Sequence, residues 1–284
     1  VKGRYMNMFV KNGTGVLKRV LLSKPEYLKA AKINEIAKKW DLDLNLKKMK
    51  IEHELLVKAY EDNGVKVEYL EADKNRPNSV FARDFGGCVK EGYILGRFKL
   101  PIRYKEHVDY EEKMKELKIP VIARVEKGIF EGGDFMFLNE KTIAVGMADR
   151  SNEEGVEEIR KQLSQYGYEV IGVKLKKEYL HLDMCFNLVD DNIAVSYKEG
   201  LPEDFVKLIE EIGIDIVSVP EESIFEHGCN LQAIGNHRVL SLKKNVKVNE
   251  ELKKRGMHVI ELDITEILKA GGGPHCMTFP LERI

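Results

Sequence analysis

The sequence predicts an α/β fold: five ββαβ units closed into a five-bladed, pseudo-symmetric α/β propeller, with polar residues from each unit facing a common centre. Three observations predict it. Polar clusters recur at a near-constant interval: Arg83-Asp84, Glu131-Gly132-Gly133-Asp134, His181-Leu182-Asp183, Cys229-Asn230, and last Cys276 in its glycine-rich wrap Gly271-Gly272-Gly273-Pro274-His275. One residue from each (Asp84, Glu131, His181, Asn230, Cys276) gives gaps of 47, 50, 49 and 46 residues. Between clusters the hydropathy repeats one order: short strand, polar turn, strand, amphipathic helix, return strand. No low-complexity linker interrupts the 284 residues, so residues 1–284 are expected to form one repeat-built domain.

The elements follow in order. The N-terminal part offers a strand over residues 15–22, a helix over about 52–62 stopped by Asn63-Gly64, and a return strand over 65–70. The unit from Phe81 places its helix near residues 110–117. In the next, strands over 135–138 and 143–146 flank the turn Asn139-Glu140-Lys141. Ser151 reads as the helix N-cap, with Glu154 completing a capping box. Val156, Ile159 and Leu163 then recur at helical spacing, Tyr166-Gly167 ends the helix, and 169–173 form the return strand. The fourth unit has strands 184–188 and 193–197 about Asp190-Asp191-Asn192, a helix over 202–212 ended by Gly213, and a strand over 214–219. The fifth has strands 231–234 and 239–242 about Gly235-Asn236, a helix from near Asn249 to Gly256, and a strand over 257–262.

Composition narrows the function. Lys and Arg number 46 against 47 Asp and Glu, with no basic stripe, which argues against nucleic acid or an anionic membrane as partner. No apolar run approaches membrane-spanning length and no signal peptide is visible. Cys88, Cys185, Cys229 and Cys276 are far apart and form no CxxC pair, the usage of a reduced, cytoplasmic protein. Cys88, Cys185 and Cys229 read as core residues, although Cys185 lies in phase with Asp183.

A centre holding a thiol, an imidazole and several carboxylates has a coherent chemistry. A thiolate attacks carbon electrophiles when a nearby cation favours its ionisation and a base manages protons. His181 suits the proton work. Asp84, Glu131 and Asp183 together would repel an anionic reacting group but match the planar fork of N–H donors on a guanidinium. Asp134 reads as an anchor behind the site, and Asn230 as a turn amide.

The ordered motifs Ala82-Arg83-Asp84, Glu131-Gly132-Gly133-Asp134, His181-Leu182-Asp183 and Gly272-Gly273-Pro274-His275-Cys276-Met277 resemble those of the guanidino-group-modifying (pentein) superfamily. Its members include arginine deiminases, dimethylarginine dimethylaminohydrolases, agmatine deiminases and amidinotransferases. The resemblance implies that Cys276 is the nucleophile of a covalent thiouronium intermediate. It makes His181 the proton donor and then the activator of water, and Glu131 a guanidinium ligand that helps shuttle protons. Asp84 and Asp183 would clamp the guanidinium nitrogens. Asn78, Arg103 and Arg150 resemble positions that hold the amino-acid end, the two arginines through the α-carboxylate. No metal or organic cofactor is implied. The expected substrate is a guanidino amino acid, with L-arginine hydrolysed to L-citrulline and ammonia, or a methylated arginine to citrulline and an alkylamine. Transfer of the amidino group, or hydrolysis onward to ornithine, uses the same intermediate. A non-catalytic ring-shaped binding protein is the contrasting reading. The outer helices and edges leave room for a homo-oligomer, and residues 40–50 and the approach to Asn78 are candidates to close over the pocket.

Overall fold

Each predicted hairpin needs a third strand to bury its apolar face, and the chain supplies it through a helical crossover. The computed structural model describes residues 8–28 and 44–284. These form five three-stranded sheets arranged as five blades. In the blade that shows the pattern most plainly, Phe135–Phe137 runs antiparallel to Thr142–Met147, with Phe135 opposite Val145. Helix Glu153–Leu163 then carries the chain to Glu169–Lys174, which is parallel to Thr142–Met147. Gly86–Val89, Gly92–Leu95 and Val121–Arg124 repeat this arrangement around helix Glu106–Glu116. So do Phe186–Asp190, Ile193–Ser196 and Asp215–Ser218 with helix Glu203–Glu211. The last repeat is Gln232–Gly235, Arg238–Leu242 and His258–Leu262 with helix Val246–Lys254.

The remaining blade is completed by both ends of the chain. Leu17–Ser23 pairs in parallel with Lys66–Leu70 and antiparallel with the C-terminal strand Phe279–Arg283. Ring closure thus rests on a strand only three residues after Cys276. The first strands of neighbouring blades touch, as Phe186–Asp190 does with Gln232–Gly235 and with Phe135–Phe137, so they surround the centre. Single 3-10 turns, Ala82–Phe85, Gly132–Asp134 and Leu182–Met184, lead into three of these inner strands and carry the polar motifs.

Two local expectations are corrected. Ser151 is not the helix cap. Asn152 is: its Oδ1 accepts from Gly155 N at 3.0 Å and Ile129 N at 2.9 Å, while the Ser151 hydroxyl turns inward. The N-terminal helix begins earlier than expected, at Leu46, capped by Asn45 Oδ1 accepting from Lys48 N; its span is Leu46–Asp62. Of residues 40–50, 40–43 lie outside the described residues, and 46–50 belong to this helix.

That helix also steadies the segment before the thiol. Buried Glu52 accepts from Thr265 N and Oγ1, Glu266 N and Ile267 N, satisfying the exposed donors at the start of the short helix Glu266–Lys269. Tyr60 Oη meets Thr278 Oγ1 at 2.5 Å, and Thr278 Oγ1 donates to Pro274 O at 2.7 Å, fixing the turn that holds Cys276. Among the described residues no helix is long and apolar enough to cross a membrane.

Candidate active site

The 3-10 turns bring together residues some fifty apart in sequence because each turn sits at the same place in its unit. Asp84, Glu131, His181, Asp183, Asn230 and Cys276 are all buried at the centre. His181 Nε2 and Glu131 Oε2 lie 3.2 Å apart, and His181 Nδ1 is 3.9 Å from Asp84 Oδ1. The Cys276 thiol faces Asp183 Oδ2 at 3.5 Å, and Asn230 Nδ2 donates to Cys276 Sγ at 2.9 Å.

Asn230 does more than a turn amide would. Its Oδ1 accepts from His275 N at 3.0 Å and Cys276 N at 3.2 Å, and its Nδ2 also reaches Asp183 Oδ2 at 3.2 Å. One side chain therefore sets the nucleophile's backbone, its sulfur and the adjacent carboxylate. His275 is a second partner that the motif reading did not place in the site. Its Nδ1 meets Asp183 Oδ2 at 2.8 Å and its Nε2 meets Arg83 Nη2 at 2.6 Å. Since arginine can only donate, Nε2 accepts and Nδ1–H donates to Asp183. Burial and the Arg83 charge hold His275 neutral, with a pKa pulled down to about 4. The recurrence of Asn230 at the fourth mark was a signal for its role; nothing local pointed to His275.

The electrostatics divide the labour. Burial raises the Cys276 thiol pKa well above its ordinary value, and the Asp183 and Asp84 carboxylates push the same way. The resting thiol is therefore protonated. Burial works against the charged form of His181, but Asp84, the hydrogen bond with Glu131 and Asp134 outweigh it and lift its pKa to about 10. It rests as an imidazolium. Glu131 is held ionised despite burial by His181 and Arg150, and Asp183 likewise by His275, His181 and Arg83. Burial, with Glu131 nearby, raises Asp84 in spite of His181 and Arg103.

Asp134 stands behind the site. Its Oδ2 accepts from Ser151 Oγ at 2.6 Å and its Oδ1 from Leu182 N at 2.8 Å, while Ser151 Oγ accepts from Glu131 N at 3.1 Å. Burial lifts its pKa to about 7. Two glycines permit this packing: a Cβ on Gly133 would lie 2.6 Å from His181 Nδ1, and one on Gly146 would lie 2.3 Å from Asp134 Oδ1.

Arg103 and Arg150, expected to hold the α-carboxylate, both pair with carboxylates at or beside the centre. Arg103 is buried with Nη1 on Asp84 Oδ2 at 2.5 Å and Nε and Nη2 on Glu106, and it stacks on Phe98. Its remaining contacts are to Asn78 O and Phe81 O, so every edge of the guanidinium is engaged. Arg150 pairs with Asp149 at 2.9 Å and Glu131 at 3.5 Å. Both arginines brace carboxylates of the centre in this arrangement. Asn78 is buried with Nδ2 unpartnered, beside the Arg103 contact. Cys185 packs in the apolar cluster with Tyr179 and Phe186, and burial raises its thiol pKa.

The most informative atoms lack hydrogen-bond donors. Asp84 Oδ1 and Asp183 Oδ1 are buried acceptors with no hydrogen bond among the described residues. A buried carboxylate oxygen without a donor is costly, so such a pair marks where a donor-rich cation would dock. Donor atoms of Asp84, Glu131 and His181 also lie within 4.8 Å of one another, as metal ligands would.

Comparison with known proteins agrees with this chemistry. The family model for N,N dimethylarginine dimethylhydrolase (eukaryotic) matches residues 24–283. An uncharacterized protein, YkgA from Bacillus subtilis, is 32% identical over 271 residues, covering 95% of this chain and 93% of that one. Arginine deiminase from Bacillus cytotoxicus is 27% identical over 255 residues, and this chain spans 62% of its length. Two solved structures share the fold. The product-bound N-terminal domain of ArgZ, an arginine dihydrolase from cyanobacteria, aligns with TM-score 0.84 at 23% identity over 93% of this chain and 97% of that one. DDAH from Pseudomonas aeruginosa complexed with citrulline aligns with TM-score 0.80 at 24% identity over 94% and 100%. The chain belongs to the N,N-dimethylarginine dimethylhydrolase family, within the superfamily of enzymes that act on guanidino C–N bonds.

Proposed function

We propose that this protein hydrolyses L-arginine to L-citrulline and ammonia through a thiouronium intermediate on Cys276. The observation that carries the reading is the pair of buried carboxylate oxygens that accept no hydrogen bond among the described residues, Asp84 Oδ1 and Asp183 Oδ1, at a centre that also holds the thiol. A substrate guanidinium donating to both would bring its central carbon to Cys276. Its positive charge would offset the carboxylates that hold the thiol protonated, so substrate binding itself would favour the thiolate. The N–H of Asn230 would steady the forming anion on sulfur.

As the guanidinium binds, the Cys276 Sγ–H proton passes to solvent, and the thiolate adds to the guanidinium carbon. His181, already an imidazolium, donates a proton to the departing nitrogen, which leaves as ammonia. Neutral His181, held by Glu131, next takes a proton from water, whose oxygen attacks the thiouronium carbon; as the C–S bond breaks, the adduct's hydroxyl proton returns to the sulfur, which releases citrulline and restores the thiol. Asp84 and Asp183 clamp the guanidinium throughout, with Arg103, Arg150 and His275 as positioning residues. Asn78 Nδ2 remains a donor for the substrate's far end. An α-carboxylate reaching Arg150 would have to share it with Asp149 and Glu131.

A second reading, favoured by the family match, is hydrolysis of an Nω-methylated arginine to citrulline and an alkylamine. Product analysis decides. The protein and its Cys276→Ser variant are incubated separately with L-arginine and with asymmetric dimethylarginine. Citrulline and ammonia from arginine, lost in the variant, are expected. Turnover of the methylated substrate alone would transfer the assignment to the second reading. Ornithine as the end product would replace single hydrolysis by onward hydrolysis, and no product from either would sink the proposal.

A further inference from the structure

Arg83 and His275 form a partition. One side of it faces Asp183 and Cys276; the other lines a small cavity of about 30 Å³ between the inner strands. We propose that this cavity binds a small monovalent inorganic anion, held between the guanidiniums of Arg83 and Arg283.

The lining has two arginines and no aspartate or glutamate. Arg283 is only 1% exposed, yet its partners are two backbone carbonyls, Gly15 O at 2.6 Å and Ala233 O at 2.8 Å. Its Nε, and the Nε of Arg83, have no hydrogen-bond partner among the described residues. A buried cation without a counter-charge is among the costlier arrangements a fold can hold.

Charge fixes the valence. Arg83 is already balanced in part by Asp183 and Asp84 beyond the partition, whereas among the described residues no carboxylate offsets Arg283. Burial and the neighbouring Arg83 charge pull Arg283 down to about 9, the behaviour of a cation lacking its anion. One negative charge completes the set. Asn12 also lines the cavity, with its Oδ1 accepting from Thr14 N and Gly15 N, which leaves its amide N–H groups as further donors. Gln232 Oε1, a buried acceptor without a partner, suits a water beside the anion.

The site would be separate from substrate binding but joined to it. By relieving repulsion between the two guanidiniums, the anion would keep Arg83 directed at His275, and so keep His275 on Asp183. This coupling runs through hydrogen bonds rather than through any movement of the blades.

Bromide tests the assignment. Crystals of the unmodified protein soaked in sodium bromide are expected to show an anomalous peak within hydrogen-bonding reach of both guanidiniums. In parallel, thermal unfolding is followed as chloride replaces gluconate at constant ionic strength. Tm is expected to rise saturably by about 2–5 °C, as for a ligand that binds only the folded state. Arg283→Gln, which removes the charge but keeps amide donors for the carbonyls, should lose both effects. Water alone in the cavity of bromide-soaked crystals would overturn the proposal, whether or not the variant folds. So would a chloride response of equal size in Arg283→Gln.

Discussion

Replacing Asp183 with asparagine should move the chemistry of Cys276 in two opposite directions. The carboxylate lies 3.5 Å from the sulfur and raises the resting thiol's pKa. At an effective dielectric of about 20, that separation corresponds to at most about 4–5 kcal/mol, or roughly a thousand-fold in the thiol's ionisation constant. Asparagine keeps an oxygen for His275 Nδ1–H and has nearly the same shape, so the partition should survive. Iodoacetamide labelling of Cys276 at pH 7.5 should therefore accelerate. The gain should be roughly 10–30-fold, smaller than the ionisation change because a less basic thiolate is a weaker nucleophile. Turnover should fall instead, because the guanidinium loses one of its clamps. A deficit of about 3–5 kcal/mol, or roughly 10²–10⁴ in kcat/KM, is the scale expected for an incompletely paired buried charge. Labelling is read by mass spectrometry of the Cys276 peptide, and turnover by citrulline release. Unchanged or slower labelling alongside reduced turnover would refute the reasoning, because Asp183 would then be acting only as scaffold.

Other perturbations test the supports. Gly133→Ala would press a methyl group on the His181 ring and should reduce kcat by at least about ten-fold while leaving the melting temperature within a few degrees, measured by steady-state kinetics and calorimetry. Arg103→Lys removes a forked contact to Asp84 and Glu106; a brace predicts a fall in kcat of similar size for arginine and for agmatine, whereas a selective rise in KM for arginine would restore the α-carboxylate role. Glu52→Ala leaves the start of helix Glu266–Lys269 without its acceptor and should cost about 2–4 kcal/mol in urea unfolding. His181 binds its proton more tightly when folded, with a pKa raised from 6.5 to about 10. Its contribution to stability is thus complete below pH 6.5 and is lost as pH rises towards 10, so His181→Gln should flatten the decline of the urea midpoint across that window.

The sequence by itself determined the repeat and the reacting groups. Hydropathy alternation and helical spacing are local, and within each unit they fix strand, turn, helix and return strand. A polar mark at each repeat therefore had to face a shared centre once the ring closed. That was enough to bring Asp84, Glu131, His181, Asp183 and Cys276 together on paper, and the structure buries all five there. It was not enough to give element ends: Ser151 and Asn152 are both competent caps, and only the inward pull of Asp134 and the Glu131 backbone assigns Ser151 to the site.

Only the tertiary structure decided which strand closes the ring and which charges face one another. Phe279–Arg283 completes the first blade by pairing antiparallel with Leu17–Ser23, a contact across the whole sequence with no local signature. Arg83 meets His275 across 192 positions, and Arg103 turns back on Asp84 and Glu106. A long, charged side chain reaches several ångströms in any direction, so its partner is set by packing and not by spacing. The same reason explains why Arg283, which no sequence motif singled out, is a buried cation with no carboxylate partner among the described residues of the folded ring.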